Sequence, residues 1–138
     1  MCLQGELGEV AFLHKAMSLG FVVAKPYGNI RRYDFIVEGG TSLWRVQVKA
    51  CGSVMNGLYQ MCTRRRVHGV ALAYAKSDFN FLAAYIIPED AWFILPAYEV
   101  VGRRSLLFRP TGFQGRDPYM LYRDAWHLFR EPDGIVIG

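Results

Sequence analysis

The sequence predicts a single α/β domain in which one helix precedes a run of strands and a second helix closes the chain. Three observations predict it. Residues 4–19 space apolar positions by three and four. Residues 33–50 alternate with period two around a Gly-Gly turn. Residues 118–130 return to helical spacing behind an Asp-Pro start. At 138 residues the chain can bury one core but is too short for two, so residues 1–138 are read as one domain.

In the first helix Leu3, Leu7, Val10, His14 and Met17 share a stripe, and Gly20 follows as a C′ glycine. Phe21 to Ala24 reads as a short strand or extended exit. From Tyr33 to Glu38, Phe35 and Val37 lie on one side and Asp34, Ile36 and Glu38 on the other. Glu38-Gly39-Gly40-Thr41 turns the chain. From Leu43 to Ala50, Trp44, Val46, Val48 and Ala50 face one way and Arg45, Gln47 and Lys49 the other, which completes a β-hairpin.

After a Gly/Ser/Asn-containing loop over 51–57, residues 58–64 suit another strand, with Leu58, Gln60, Cys62 and Arg64 on one face and Tyr59, Met61 and Thr63 on the other. Val70 to Ala75 is apolar and ambiguous. Phe81 to Ile87 and Trp92 to Leu95 form a second hairpin about Pro88-Glu89-Asp90. Pro96 to Val101 suits a short helical turn, and Leu106 to Arg109 an edge strand. The closing helix has Asp117 as cap, Pro118 in its first turn and Tyr119, Tyr122, Trp126 and Phe129 as its apolar stripe.

Composition excludes several classes. No stretch reaches the length of a membrane span, and Glu6 and Glu9 stand where a secretory signal would be basic. Three cysteines without a C-x-x-C spacing argue against a disulfide framework or a Cys-rich zinc site, so a reducing cytoplasm is expected. The net charge is a modest +4. Arg dominates the basic residues and clusters at Arg31-Arg32, Arg64-Arg65-Arg66 and Arg103-Arg104. Such clusters suit bidentate phosphate contacts, and equally a solvated loop.

The first hairpin carries chemistry. Asp34 opens one strand, and Gln47 and Lys49 sit two residues apart on one face of the next. The thirteen positions between Asp34 and Gln47 (47 − 34) let a tight hairpin bring them together. A carboxylate, an amide carbonyl and an ammonium then converge at one sheet edge. Mg²⁺ needs few protein oxygens because it keeps several waters. Asp34, the Gln47 side-chain carbonyl and the Val48 backbone carbonyl are the expected ligands, with Glu9 holding a second ion or a metal-bound water. Lys49 would stabilise charge on a cleaved phosphodiester and help deprotonate water. Taken singly, each residue also has a plain structural role: Asp34 as a turn cap, Gln47 and Lys49 on a polar strand face, Glu9 on a helix surface.

The segments G-E-L-G-E-V-A-F (5–12), R-R-Y-D-F-I-V (31–37) and W-R-V-Q-V-K-A (44–50) resemble the PD-(D/E)XK nuclease superfamily. The branch they are most similar to contains the group I intron-encoded PD-(D/E)XK homing endonuclease, which also has a segment like residues 81–96. The resemblance covers roughly two thirds of the chain. It implies a restriction-endonuclease-like αβββαβ core, with a mixed sheet flanked by helices and an extra C-terminal helix. It also implies hydrolysis of double-stranded DNA with Mg²⁺ (Mn²⁺ substituting) by a homo-oligomer. The family's Gly-x-x-x-Glu falls on Gly5 and Glu9, its metal-binding Asp on Asp34, and its (D/E)-x-K on Gln47 and Lys49. Two departures stand out: Gln47 replaces an acid, as it does in some active branches, and Tyr33 replaces the usual Pro. Helical periodicity alone favours Glu6 over Glu9, because Glu6 lies nearer the apolar stripe; the family spacing selects Glu9.

Arg31, Arg32, Gln60, Arg64, Arg65 and Arg66 are the candidate DNA contacts. Their expected roles are clamping phosphates or reading bases from the strand near residue 60. His14, His68 and His127 show no metal-ligand spacing. The expected activity is site-specific double-strand cleavage of homing-endonuclease type by a dimer or tetramer. Three alternatives stand beside it: a structure-specific, junction-resolving nuclease; a catalytically inactive DNA-binding protein with the same fold, motivated by Gln47; and an α/β protein in which the D…Q-x-K pattern is accidental.

Overall fold

The computed structural model describes residues 3–28, 31–52, 58–111 and 117–131. Helix α1 (Leu3–Ser18) is followed by strands β1 (Val22–Ala24), β2 (Phe35–Gly39) and β3 (Ser42–Cys51). The Gly20 expectation holds. At φ 91° it lets Phe21 N–H reach Ala16 O at 3.1 Å and Gly20 N–H reach Met17 O at 3.0 Å, which closes the helix in a Schellman arrangement.

The predicted stripe of α1 faces outward, however. Leu7, Val10 and Met17 are 49%, 65% and 60% exposed, and His14 is exposed as well. The core-facing ridge is Gly8, Phe12 and Ala16, spaced by four. The reason is close helix–sheet approach: a Cβ on Gly8 would lie 2.9 Å from the Ala50 Cβ. With small residues at the contact, Phe12 reaches into the core and stacks on Phe35 and Trp126, with ring centroids 5.4 and 5.6 Å away. Gly8 and Ala16, two of its three positions, carry little apolar signal, so counting apolar positions passes over this face.

The central sheet has the order β1-β2-β3-β7-β8, with β7 at Phe81–Ile86 and β8 at Ala91–Pro96. β3 and β7 run parallel and the other neighbours antiparallel, giving the expected mixed sheet. β7 is buried on both faces, with Phe81 and Ala83 in the cluster under α1 and Leu82 and Ala84 in the opposite one. Its sequence therefore reads as a continuous apolar run rather than an alternation.

The crossover from β3 to β7 differs from the αβββαβ outline. It runs through β4 (Tyr59–Cys62), β5 (Arg64–Val67) and β6 (Val70–Ala73), and α1 is the only α-helix among the described residues. β4 pairs with β9 (Ser105–Phe108), burying Tyr59, Met61 and Thr63 as the alternation predicts. β5 and β6 form a separate ribbon, turned at His68 and Gly69, whose φ values of 51° and 81° match the favoured hairpin turn.

The closing helix is also corrected. Residues 120–122 and 126–130 are short 3₁₀ turns, separated by Arg123 in extended backbone and Asp124 at φ 50°. The competing partner is the β8 edge. Arg123 bridges to Phe93, and Asp124 N–H bonds Trp92 O at 2.9 Å. Tyr119, Trp126 and Phe129 are nevertheless buried, so the stripe marked the burial correctly and the backbone wrongly. Asp117 caps no helix; its Oδ1 accepts the Tyr119 N–H at 3.0 Å in an Asx turn. No helix among the described residues is long and apolar enough to cross a membrane.

Candidate active site

Register explains why the polar groups gather where they do. β2 pairs with β3 so that Phe35 faces Val46, which places Asp34 opposite Gln47 just where β2 begins. Asp34 N–H still donates to Val46 O at 2.8 Å. One step further along β3 there is no β2 backbone left to pair. The Asp34 side chain takes over, and its Oδ2 accepts the Val48 N–H at 2.8 Å. The carboxylate is thus fixed at the end of the hairpin by a backbone group that the sheet leaves unpaired on that side.

Glu9, half-buried on α1, faces this carboxylate, whereas Glu6 is exposed. The ridge of small residues turns Glu9 toward the sheet edge, which reverses the choice that periodicity alone favours. Burial, opposed by the Val48 hydrogen bond and reinforced by the negative charge of Glu9, pushes Asp34 up from 3.8 to about 6. Lys25 and Lys49 pull the other way but do not cancel the effect of burial.

Lys49 projects from β3 with its Nζ 5.6 Å from the Tyr74 ring centroid. Burial pushes its ammonium below the usual lysine range, while Cys62 and Asp34 pull the other way. Gln47 is half-buried, and its Nε2 donates to Val48 O at 3.4 Å. Glu9, Asp34, Gln47, Val48 and Lys49 therefore come together at one end of the sheet.

These groups suit a hard divalent cation. Two carboxylates, an amide oxygen and a backbone carbonyl match the few oxygen ligands that Mg²⁺ takes while keeping waters. Burial, the largest cause of the raised Asp34 pKa, disfavours the bare carboxylate charge in this corner. Among the described residues no three His, Cys, Asp or Glu side chains cluster as a metal cage.

Two clefts flank the corner. One, of about 300 Å³, is lined by Glu9, Lys25, Arg31, Tyr33 and Asp34. The other, of about 310 Å³, is lined by Lys49, Gln60 and Cys62 among others. Arg31 and Gln60, both expected to contact DNA, thus border the site. Arg32 lies 4.0 Å from Asp78. Arg64, Arg65 and Arg66 form β5 of the ribbon, and their side chains lie outside the described groups.

Lys25 was not anticipated from the sequence. Its Nζ sits 3.0 Å from Glu9 Oε1 and 4.9 Å from the Phe35 ring centroid. The available signal was its place directly after the short strand 21–24, at the same end of the sheet as Asp34.

The PD-(D/E)XK endonuclease family model matches residues 2–129. Among solved structures, a bacterial homing endonuclease, I-Ssp6803I, is similar with a TM-score of 0.81 and 28% identity, over 93% of this chain and 91% of that one. No curated protein sequence matches.

Proposed function

The chain belongs to the PD-(D/E)XK endonuclease family, and from that premise we propose that it is a Mg²⁺-dependent DNA endonuclease making site-specific double-strand cuts of homing type. The observation that carries this reading is the meeting of Glu9, Asp34, Gln47 and Lys49 at the end of one hairpin. The likeness to a homing endonuclease over nearly the whole of both chains supports it.

Asp34, Glu9, Gln47 and the Val48 carbonyl would hold the ion, with Mn²⁺ able to substitute. When bound, a divalent ion neutralises charge on the scissile phosphate and acidifies water. Lys49 supplies the cation on the protein side. Its half-buried ammonium neutralises charge building on the phosphate oxygens, and its lowered pKa eases proton exchange with the attacking water at Nζ. The Val48 N–H holds the Asp34 carboxylate in one orientation, so little reorganisation is needed during reaction.

Double-stranded DNA would lie across the two clefts. Arg31 and Arg32 would grip phosphates, while Gln60 and the Arg64-Arg65-Arg66 ribbon would approach a groove; a two-stranded ribbon fits the major groove. One chain carries one such corner, and two strands need two. A homo-oligomer, dimer or tetramer, supplies them by symmetry, and the apolar outer stripe of α1 supports that reading. A reducing cytoplasm suits Cys51 and Cys62, which form no disulfide.

Nicking of supercoiled plasmid tests the proposal. Cleavage should appear with Mg²⁺ or Mn²⁺ and stop with EDTA. Tight DNA binding without cleavage in either metal would favour an inactive DNA-binding protein instead.

A further inference from the structure

We infer that Lys25 is a positioning residue whose ammonium competes with a divalent cation for the Glu9 carboxylate at the proposed metal corner. The inference rests on the proposed metal site and concerns what competes with the ion there.

Two contacts place the Lys25 ammonium at the corner. It donates to Glu9 Oε1 at 3.0 Å. It lies over the Phe35 ring at 4.9 Å, the residue next to Asp34. It lines the same cleft as Asp34. The backbone delivers it there. β1 runs antiparallel to β2 with Ala24 facing Ile36, so the next residue, Lys25, comes level with Phe35 at the open end of the hairpin.

Without a cation, Glu9 and a half-desolvated Asp34 repel each other across one small cleft. A lysine is a compact, strongly hydrated point charge on a flexible stem, suited to stand in for a hydrated ion and to leave again. The Lys25 side chain is 61% exposed and the Glu9 side chain 36%. An exposed pair of this kind is weak and breaks readily. Once released, the ammonium stays in the cleft that Arg31 also lines, where a DNA phosphate can take it.

Competition has a signature that a mere strap between α1 and β1 lacks: removing Lys25 should tighten metal binding. Metal-free chain is titrated with Mn²⁺, with free Mn²⁺ followed by its paramagnetic resonance signal, for wild type, Lys25→Gln, Lys25→Arg and Asp34→Asn. Lys25→Gln should bind Mn²⁺ roughly threefold to tenfold more tightly than wild type, the scale of removing one unit charge near a divalent ion in a largely aqueous site. Lys25→Arg should match wild type, and Asp34→Asn should lose binding. Equal or weaker binding by Lys25→Gln, with Asp34→Asn still deficient, overturns the inference and leaves the metal site standing. Wild-type binding retained in Asp34→Asn, or no binding by wild type, overturns the metal site and the inference with it.

Discussion

The Asp34 carboxylate accepts the Val48 N–H at 2.8 Å, so the residue just before β2 is anchored to the strand that carries Gln47 and Lys49. This single bond ties the acid to the lysine-bearing strand and joins the electrostatics of the site to the stability of the hairpin.

Stability of the metal-free protein should depend on Asp34 in a defined direction. Folding raises its pKa from 3.8 to about 6, chiefly by burial. Between these values the folded chain keeps a proton that the unfolded chain has lost, so stability falls as pH rises through the window. Asp34→Asn should therefore melt above wild type at pH 8 in EDTA, with the difference vanishing near pH 4. A variant less stable than wild type at pH 8 would contradict this. Cleavage by wild type at limiting Mg²⁺ should rise through pH 6 as the ligand loses its proton.

Gln47 leaves the corner one charge short of the usual family pattern. Gln47→Glu should lower the Mg²⁺ concentration for half-maximal nicking by ~3–10-fold, the scale of one added charge beside the ion. It should also shift the pH profile upward, because a new carboxylate raises Asp34 further. Nicking assayed across Mg²⁺ concentration and pH checks both effects.

Arg31 lines the cleft beside Asp34. If it meets a phosphate, Arg31→Ala should weaken DNA binding and reduce the slope of log affinity against log salt by about 0.9. Binding measured in Ca²⁺ over a salt series gives that slope, and an unchanged slope would remove Arg31 from the interface.

Gly39 makes room for the C-terminal turns. A Cβ there would lie 1.9 Å from the Phe129 carbonyl oxygen, which also accepts the Trp44 indole N–H at 2.7 Å. Gly39→Ala should cost about 2–3 kcal/mol through overpacking, a fall in Tm of roughly 7–10 °C for a chain of this size. Thermal melts in EDTA separate this from any effect on metal.

The first hairpin was legible because period two, a Gly-Gly turn and the Asp34–Gln47 separation all agree on one register. α1 was legible in extent through Gly20 but not in orientation. Its buried ridge is Gly8, Phe12 and Ala16, and glycine and alanine carry little hydrophobic signal however tightly they pack. That orientation leaves Glu6 exposed and sets Glu9 half-buried in the cleft with Asp34, a placement that periodicity does not anticipate. The 118–130 helix failed because the free edge of β8 offers Arg123 and Asp124 backbone partners that no local pattern encodes. Lys25 escaped notice because its role depends on β1 lying beside β2, a non-local pairing.

The convergence of Asp34 and Lys49 on one reaction is tested most directly by nicking of supercoiled plasmid with saturating Mg²⁺, comparing wild type, Asp34→Ala and Lys49→Ala at matched folded protein. Each variant should lose ~100-fold or more in nicking rate while still binding DNA. Nicking at the wild-type rate by both variants would mean that the cleaving groups lie elsewhere on the chain.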